Sequence, residues 1–430
     1  MRHHHYNVGQ VLVVVSLVLS SATSLRGAGR ALEVILDGLE LPPCCPSWSS
    51  TRLWLLRLGY YKLMRAKAQG EDWVWIVDHV VQLGQEKCLL ILGVRLSGVP
   101  AVGVCLSHED VEPIALHPVK QSNGEIVYQQ LEEATRKTGV PREILSDQGS
   151  DLSKGIRQFC QAHPETCAIY DIKHKVAAVL KRELEAELAW QAFTQLARQT
   201  KQRVQQTALA ALAPPQQRSK SRYMNAEELV GWGSRMLQYL DDGARHQQEC
   251  DQQRVAQELG WVREYRQELE QWKQLVEVVE QTEKFVKEQG LYPGSEQWLE
   301  KQLVAAGATP RTQQVREELV RFVAAESAKA KEHERLLGSS EVIESVFGKW
   351  KRLEGEQARS GLTGLVLALG AMVSRTSAEV IKKALESVPT KKVLEWCQEK
   401  LGKTVQARRR EAFVTPGKSE QKQDQIKVAA

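Results

Sequence analysis

The chain has 430 residues, 42% of them hydrophobic and 26% charged, with a formal net charge of +5. That length and apolar content exclude a disordered polypeptide and provide for two or three domains, each with its own core. Residues 403–430 hold seven Lys/Arg against three Asp/Glu, most of the excess, so overall charge says little about nucleic acid and local patches matter more.

After Met1-Arg2, the apolar stretch from Val8 to Ala22 imitates a signal peptide, but it is shorter than the roughly 20 residues of a membrane span. It reads as the first core helix of an N-terminal helical domain, residues 1–70. Pro42-Pro43-Cys44-Cys45-Pro46 breaks the helical pattern. Serines from Ser47 then start a further helix, with Gly59 as its natural stop. Together with the helix around Ser24–Leu32, and with Arg26, Arg30, Arg52 and Arg57 exposed, this suggests a helix-turn-helix that sets residues 49–58 in a DNA groove. A small helical bundle with solvated arginines is the equal alternative.

From residue 72 the pattern changes to strands at 73–81, 87–95 and 99–107, with Gly84 and Ser97-Gly98 at the turns. A helix at 123–138, a strand at 142–146, a helix at 152–163 and a strand at 166–171 follow, an α/β order with a mixed sheet. After His174 strand signals vanish, and residues 175–335 are rich in Glu, Gln, Lys, Ala and Leu at helical spacing. This is an all-helical insertion, interrupted at Ala213-Pro214-Pro215 and Leu291-Tyr292-Pro293-Gly294. Residues 247–290 show heptad-like alternation, the mark of a solvated bundle face or of pairing with another copy. Residues 336–402 return the chain to the α/β domain begun at 71–174, with an apolar helix at Gly361–Ser374 and another helix at 379–401. Residues 403–430 read as a basic disordered tail.

Eight scattered cysteines lack the framework of a secreted disulfide protein and favour reduced thiols in the cytosol. Cys160, His163 and Cys167 approach ligand spacing but have no fourth partner, so ordinary helix packing is the better reading. Glycine-rich phosphate loops, nucleophile elbows and Cys-x-x-Cys pairs are absent, which leaves ATP-driven or covalent-intermediate chemistry without a foothold.

Three acids stand out. Asp78 lies within the β-branched run Trp73-Val74-Trp75-Ile76-Val77-Asp78-His79, Asp147 follows the short apolar run Glu143-Ile144-Leu145-Ser146, and Glu344 sits on an amphipathic helix. Two Mg²⁺ ions about 3.5–4 Å apart need hard oxygen ligands converging from separate elements, and two Asp with one Glu supply such a set. Singly, each is more often a turn or helix-cap residue; their order and spacing lift the metal reading. Asp78 and Asp147 are 69 residues apart, enough for the strands and helix between them, whereas the 197 from Asp147 to Glu344 require the insertion.

With Asp171-Ile172-Lys173-His174 and Ser339-Ser340-Glu341-Val342-Ile343-Glu344-Ser345-Val346-Phe347, these motifs make residues 72–375 resemble the DDE transposases of RNase H-like fold, in particular the insertion-bearing hAT type and related bacterial insertion-sequence elements. The resemblance implies Asp78, Asp147 and Glu344 as catalytic metal ligands for two Mg²⁺, with Mn²⁺ able to substitute. It implies supporting roles for Asp171 and His174, and a phosphate contact for Lys351, seven residues after Glu344. Ser345 stands where the family carries Arg, which leaves Glu341 as runner-up for the third acid. One insertion-domain tryptophan among Trp190, Trp232, Trp261, Trp272 and Trp298 would stack on an extruded base. The implied activity is metal-dependent cleavage of double-stranded DNA at element ends and strand transfer into target DNA by a homo-oligomer, at least a dimer, in the bacterial cytoplasm and away from membranes. A structure-specific nuclease that never joins strands, and a non-catalytic DNA-binding descendant of a transposase, are the alternatives.

Overall fold

The computed structural model describes residues 5–81, 86–99, 105–216, 225–242, 252–303, 309–355 and 361–413. The chain divides into two compact units, one of Met1–Val99, Leu106–Ala168 and Ser340–Ala430, the other of Pro100–Cys105 and Ile169–Ser339.

Three helices open the first unit: α1 (Val8–Ser20), α2 (Leu25–Gly38) and α3 (Trp48–Met64). Asn7, Ser24 and Ser47 cap them, each side chain accepting from the backbone N–H three residues on. Val11, Val14, Val15 and Val18 recur at helical spacing and bury one stripe of α1. These helices do not pack by themselves. Their apolar residues share one core cluster with Ala371, Ile381, Ala384 and Leu385 from the far end of the chain.

The sheet follows as β1 (Trp73–Val81), β2 (Lys87–Arg95) and β3 (Glu112–Val119), then α4 (Gly124–Thr138), β4 (Glu143–Ser146), α5 (Ser150–Ala162) and β5 (Cys167–Tyr170). Strand order is β3-β2-β1-β4-β5, with β1 antiparallel to β2, β2 antiparallel to β3, and β1 parallel to β4. This is an RNase H-like mixed sheet carrying an all-helical insertion. Trp73, Trp75 and Val77 of β1 point into one core with Val127 and Leu131 of α4 and Ile156 and Phe159 of α5. By the period-two pleat, Val74, Ile76 and Asp78 point to the opposite face.

The third strand differs from the sequence expectation of 99–107. It is Glu112–Val119, and residues 100–104 lie outside the described residues. Pro113 and Pro118 argue against a strand when read locally. They are tolerated because β3 is an edge strand, where a missing N–H need not break a ladder.

The second unit holds α6 (Ile172–Leu184), α7 (Leu188–Val204), α8 (Ala226–Asp241), α9 (Gln252–Leu259), α10 (Arg266–Gln289), α11 (Ser295–Gln302) and α12 (Pro310–Ser327). An aromatic cluster centred on Phe193 holds it together: the Trp190, Trp232, Trp261 and Trp272 rings lie 5.3–6.3 Å from the Phe193 ring. A 3-10 turn at Gly260–Tyr265 separates α9 from α10, so the heptad-like pattern is not carried by one continuous helix.

The chain then returns as α13 (Glu341–Glu354), the short α14 (Ala368–Ala371), α15 (Ala378–Ser387), α16 (Thr390–Leu401) and α17 (Val405–Ala412). Three expectations are corrected here. The apolar stretch at 361–374 is a 3-10 turn and a single α-turn, buried throughout 361–373, where burial rather than helix length explains its composition. The helix expected over 379–401 breaks at Val388-Pro389. Val405–Ala412, placed in a disordered tail, is a helix capped by Thr404, while residues 414–430 lie outside the described residues.

Candidate active site

The register of the β1–β4 ladder determines where the first two acids stand. Val74 is level with Glu143 and Val77 with Ser146, so Asp78 and Asp147 come next after the last β1–β4 pair, Asp147 just past the end of β4 and Asp78 within β1, where the strand runs on to Val81 against β2 alone. Backbones at that spacing are about 4.8 Å apart. Both residues are half-buried. The Asp78 carboxylate accepts from the His79 N–H at 2.6 Å, and Asp147 accepts from the Gly149 N–H at 3.0 Å, which ties it to the first turn of α5.

Glu344 lies in the first turn of α13, and α13 packs against β1. Val342, Ile343, Val346, Phe347 and Trp350 bury one face of that helix; Glu344 is half-buried on its flank, while Glu341 is exposed. At 100° per residue, Lys351 follows Glu344 on the same flank, exposed to solvent.

Beside the aspartates is a polar cluster that the sequence did not single out. Asp151, in the first turn of α5, receives the Lys87 ammonium at 2.7 Å, and its carboxylate lies 3.8 Å from His79 Nδ1. Burial pushes the Asp151 carboxyl up, but hydrogen bonds from Lys87 and Ser122 and the charges of His79 and Lys87 outweigh it and hold the group at about 2. Burial drives the His79 imidazole down to about 4 against the pull of Asp151 and Asp147, so it is neutral at pH 7. The only sequence signal was His79 standing next to Asp78.

Asp171 and His174 belong to the second unit. Asp171 is fully buried and caps α6, its carboxylate accepting from the His174 N–H at 3.0 Å. The Asp-x-x-His spacing therefore has a helix-capping function here. Of the five insertion tryptophans, Trp298 is exposed (61%), with the Lys301 ammonium 5.0 Å from its ring; the others are packed into the aromatic cluster.

The arginines expected in a groove-reading helix need correction. α3 buries Trp54, Leu55, Leu56, Leu58 and Leu63, so its body is a core helix rather than one that lies in a DNA groove. The Arg57 guanidinium donates to the backbone carbonyls of Val388, at 2.6 Å, and Leu385, at the end of α15. Arg52 lies against Gly364 and within electrostatic reach of the buried Glu354. Arg26 and Arg30 on α2 are exposed, as expected.

Asp78 and Asp147 offer hard carboxylate oxygens at one level of the sheet, which suits a divalent cation. Among the described residues, however, no group of three or more His, Cys, Asp or Glu side chains is disposed to hold a metal ion. The fit is thus to a carboxylate pair, with the third acid on a helix packed against the same strand but not gathered with it. Among those residues, too, no helix is long and apolar enough to cross a membrane.

No protein-family model and no curated protein matches the chain. Among solved structures, the strand transfer complex of the Drosophila P element transposase is similar over 88% of this chain and 94% of that one, at 11% sequence identity and a TM-score of 0.42.

Proposed function

We propose that the protein is a DNA transposase that cleaves DNA strands at element ends and transfers them into target DNA. The observation that carries this reading is the pairing of Val77 with Ser146, which brings Asp78 and Asp147, 69 residues apart in sequence, to one level of a parallel ladder, with α13 and its Glu344 packed on β1. Two Mg²⁺ held by these acids would supply Lewis acidity and an ionised water or DNA 3′-hydroxyl as nucleophile. Asp78 and Asp147 are anchored by backbone N–H groups, so their carboxylates are presented with little freedom. Neutral His79 and the Lys87–Asp151 pair brace the α5 side of the same sheet edge. Lys351 would meet a DNA phosphate on the Glu344 flank, making binding salt-dependent.

The test supplies the full-length protein with DNA from the flanks of its encoding gene and Mg²⁺, and scores both cleavage and joining of a supplied 3′-hydroxyl end. Asp147→Asn is expected to abolish cleavage and to retain DNA binding. Cleavage without joining would make the protein a nuclease on the same fold. Function preserved in Asp147→Asn would make it a non-catalytic DNA-binding protein.

A further inference from the structure

In the first unit the α1–α2 connection, the start of α3 and one flank of α13 enclose a cavity of about 500 Å³. Three cationic side chains line it, Arg26, Lys349 and Arg352, and among the described residues no carboxylate does. Lys349 donates to Nδ1 of His108 at 2.8 Å, and among the described residues Arg352 Nε reaches the Gly348 carbonyl, at 3.4 Å. Burial and the charge of Lys349 both hold the His108 imidazole down, so it stays neutral and accepts that hydrogen bond; its Nε2 lies 3.1 Å from the Ser345 hydroxyl, which steadies the ring. Lys349 and Arg352 are three residues apart on α13, where like charges repel, and the cavity offers them no counter-anion. Trp48 stands at the rim, 45% exposed at the first position of α3. An aromatic ring kept in solvent beside unneutralised cations forms a stacking platform next to a phosphate site.

We infer that this cavity binds one unpaired nucleotide, its phosphate among Arg26, Lys349 and Arg352 and its base on Trp48. It lies on the flank of α13 away from Glu344 and Lys351, so it is a binding site separate from the acids. It rests on the proposed transposase reading only for the source of the nucleotide, a DNA strand. A free nucleotide would offer the same chemistry.

The test uses the full-length protein carrying Asp147→Asn, in EDTA, so that neither metal nor cleavage is needed and failure of the catalytic reading leaves it untouched. Fluorescein-labelled oligo-dT is titrated by anisotropy at several salt concentrations, with dTMP as competitor. Arg26→Ala/Arg352→Ala is expected to weaken binding at least about tenfold and to flatten the log–log salt slope by about 0.7, one phosphate's worth for a single strand. Trp48→Leu is expected to weaken it about tenfold and Trp48→Phe to restore most of the loss, while Lys382→Ala, an exposed lysine on α15, changes nothing. Displacement by micromolar dTMP that is lost in the variants identifies a free nucleotide as ligand; resistance to dTMP identifies the strand. Absence of binding by both probes, or variants that bind within twofold with an unchanged salt slope, overturns the inference.

Discussion

Lys62 is fully buried on α3, and its ammonium is enclosed by the carbonyls of Ala371, Val373 and Ser374 and the hydroxyl of Thr376, at 2.7–3.2 Å. Burial is the largest influence on it, and with the nearby charges of Arg65 and Lys67 it lowers the group from 10.5 to about 7 against the pull of Glu112 and Glu109. That gap is roughly 5 kcal/mol of preference for the neutral amine. In Lys62→Met the three carbonyls lose their donor, which costs about 3 kcal/mol at pH 7. The sign of the pH dependence follows from proton counting. Below about 7 both folded and unfolded chains hold the proton and Lys62 contributes no slope. Between about 7 and 10.5 only the unfolded chain holds it, so raising the pH favours the folded state, by up to about 1.4 kcal/mol per unit. Urea unfolding followed by circular dichroism should therefore show the gap between wild type and Lys62→Met widening by about 2.5 kcal/mol from pH 7 to pH 9, at constant m-value. A gap that stays flat would refute the reasoning and show that the four acceptors hold the proton in place.

The crossing of α3 and α14 offers a second stability test. A Cβ at Gly59 would lie 1.8 Å from the Leu367 carbonyl oxygen, so Gly59→Ala must force the helices apart and should cost more than about 3 kcal/mol by the same urea assay; a midpoint near wild type would refute that packing. At the candidate active site, Glu344→Gln should lower Mg²⁺-dependent cleavage by about a hundredfold or more, whereas Glu341→Gln, on an exposed side chain, should leave it within about threefold. The reverse pattern would move the third acid to Glu341.

β1, β2, α4, β4, α5 and β5 were legible because each is bounded by turn residues and carries one clear period. β3 was not: its two prolines deny the local pattern, and only its position at the sheet edge makes them harmless. Gly59 reads as a helix stop from propensity alone, yet α3 runs through it to Met64, because the glycine is there for the close approach of Leu367 and Gly370. Arg57 carries the same lesson, since a charged residue on an apolar helix reads as solvated until a distant helix end is found to need its donors. The level pairing of Asp78 and Asp147 was within reach, since strand ends and spacing indicate it. The cavity around Arg26, Lys349 and Arg352 joins segments more than 300 residues apart, and no local pattern announces it.

The core shared by α1–α3 and residues 371–385 bears on how the chain must be made. The core that α1–α3 share is completed only once α14 and α15 have left the ribosome, so the first segment settles after the sheet and the helical insertion between them have been made. An N-terminal truncation intended to isolate the sheet would strip α14 and α15 of their cover and expose a wide oily surface. Such a fragment is expected to aggregate, and loss of either α1–α3 or α14–α15 would silence the protein through misfolding before any acid was touched.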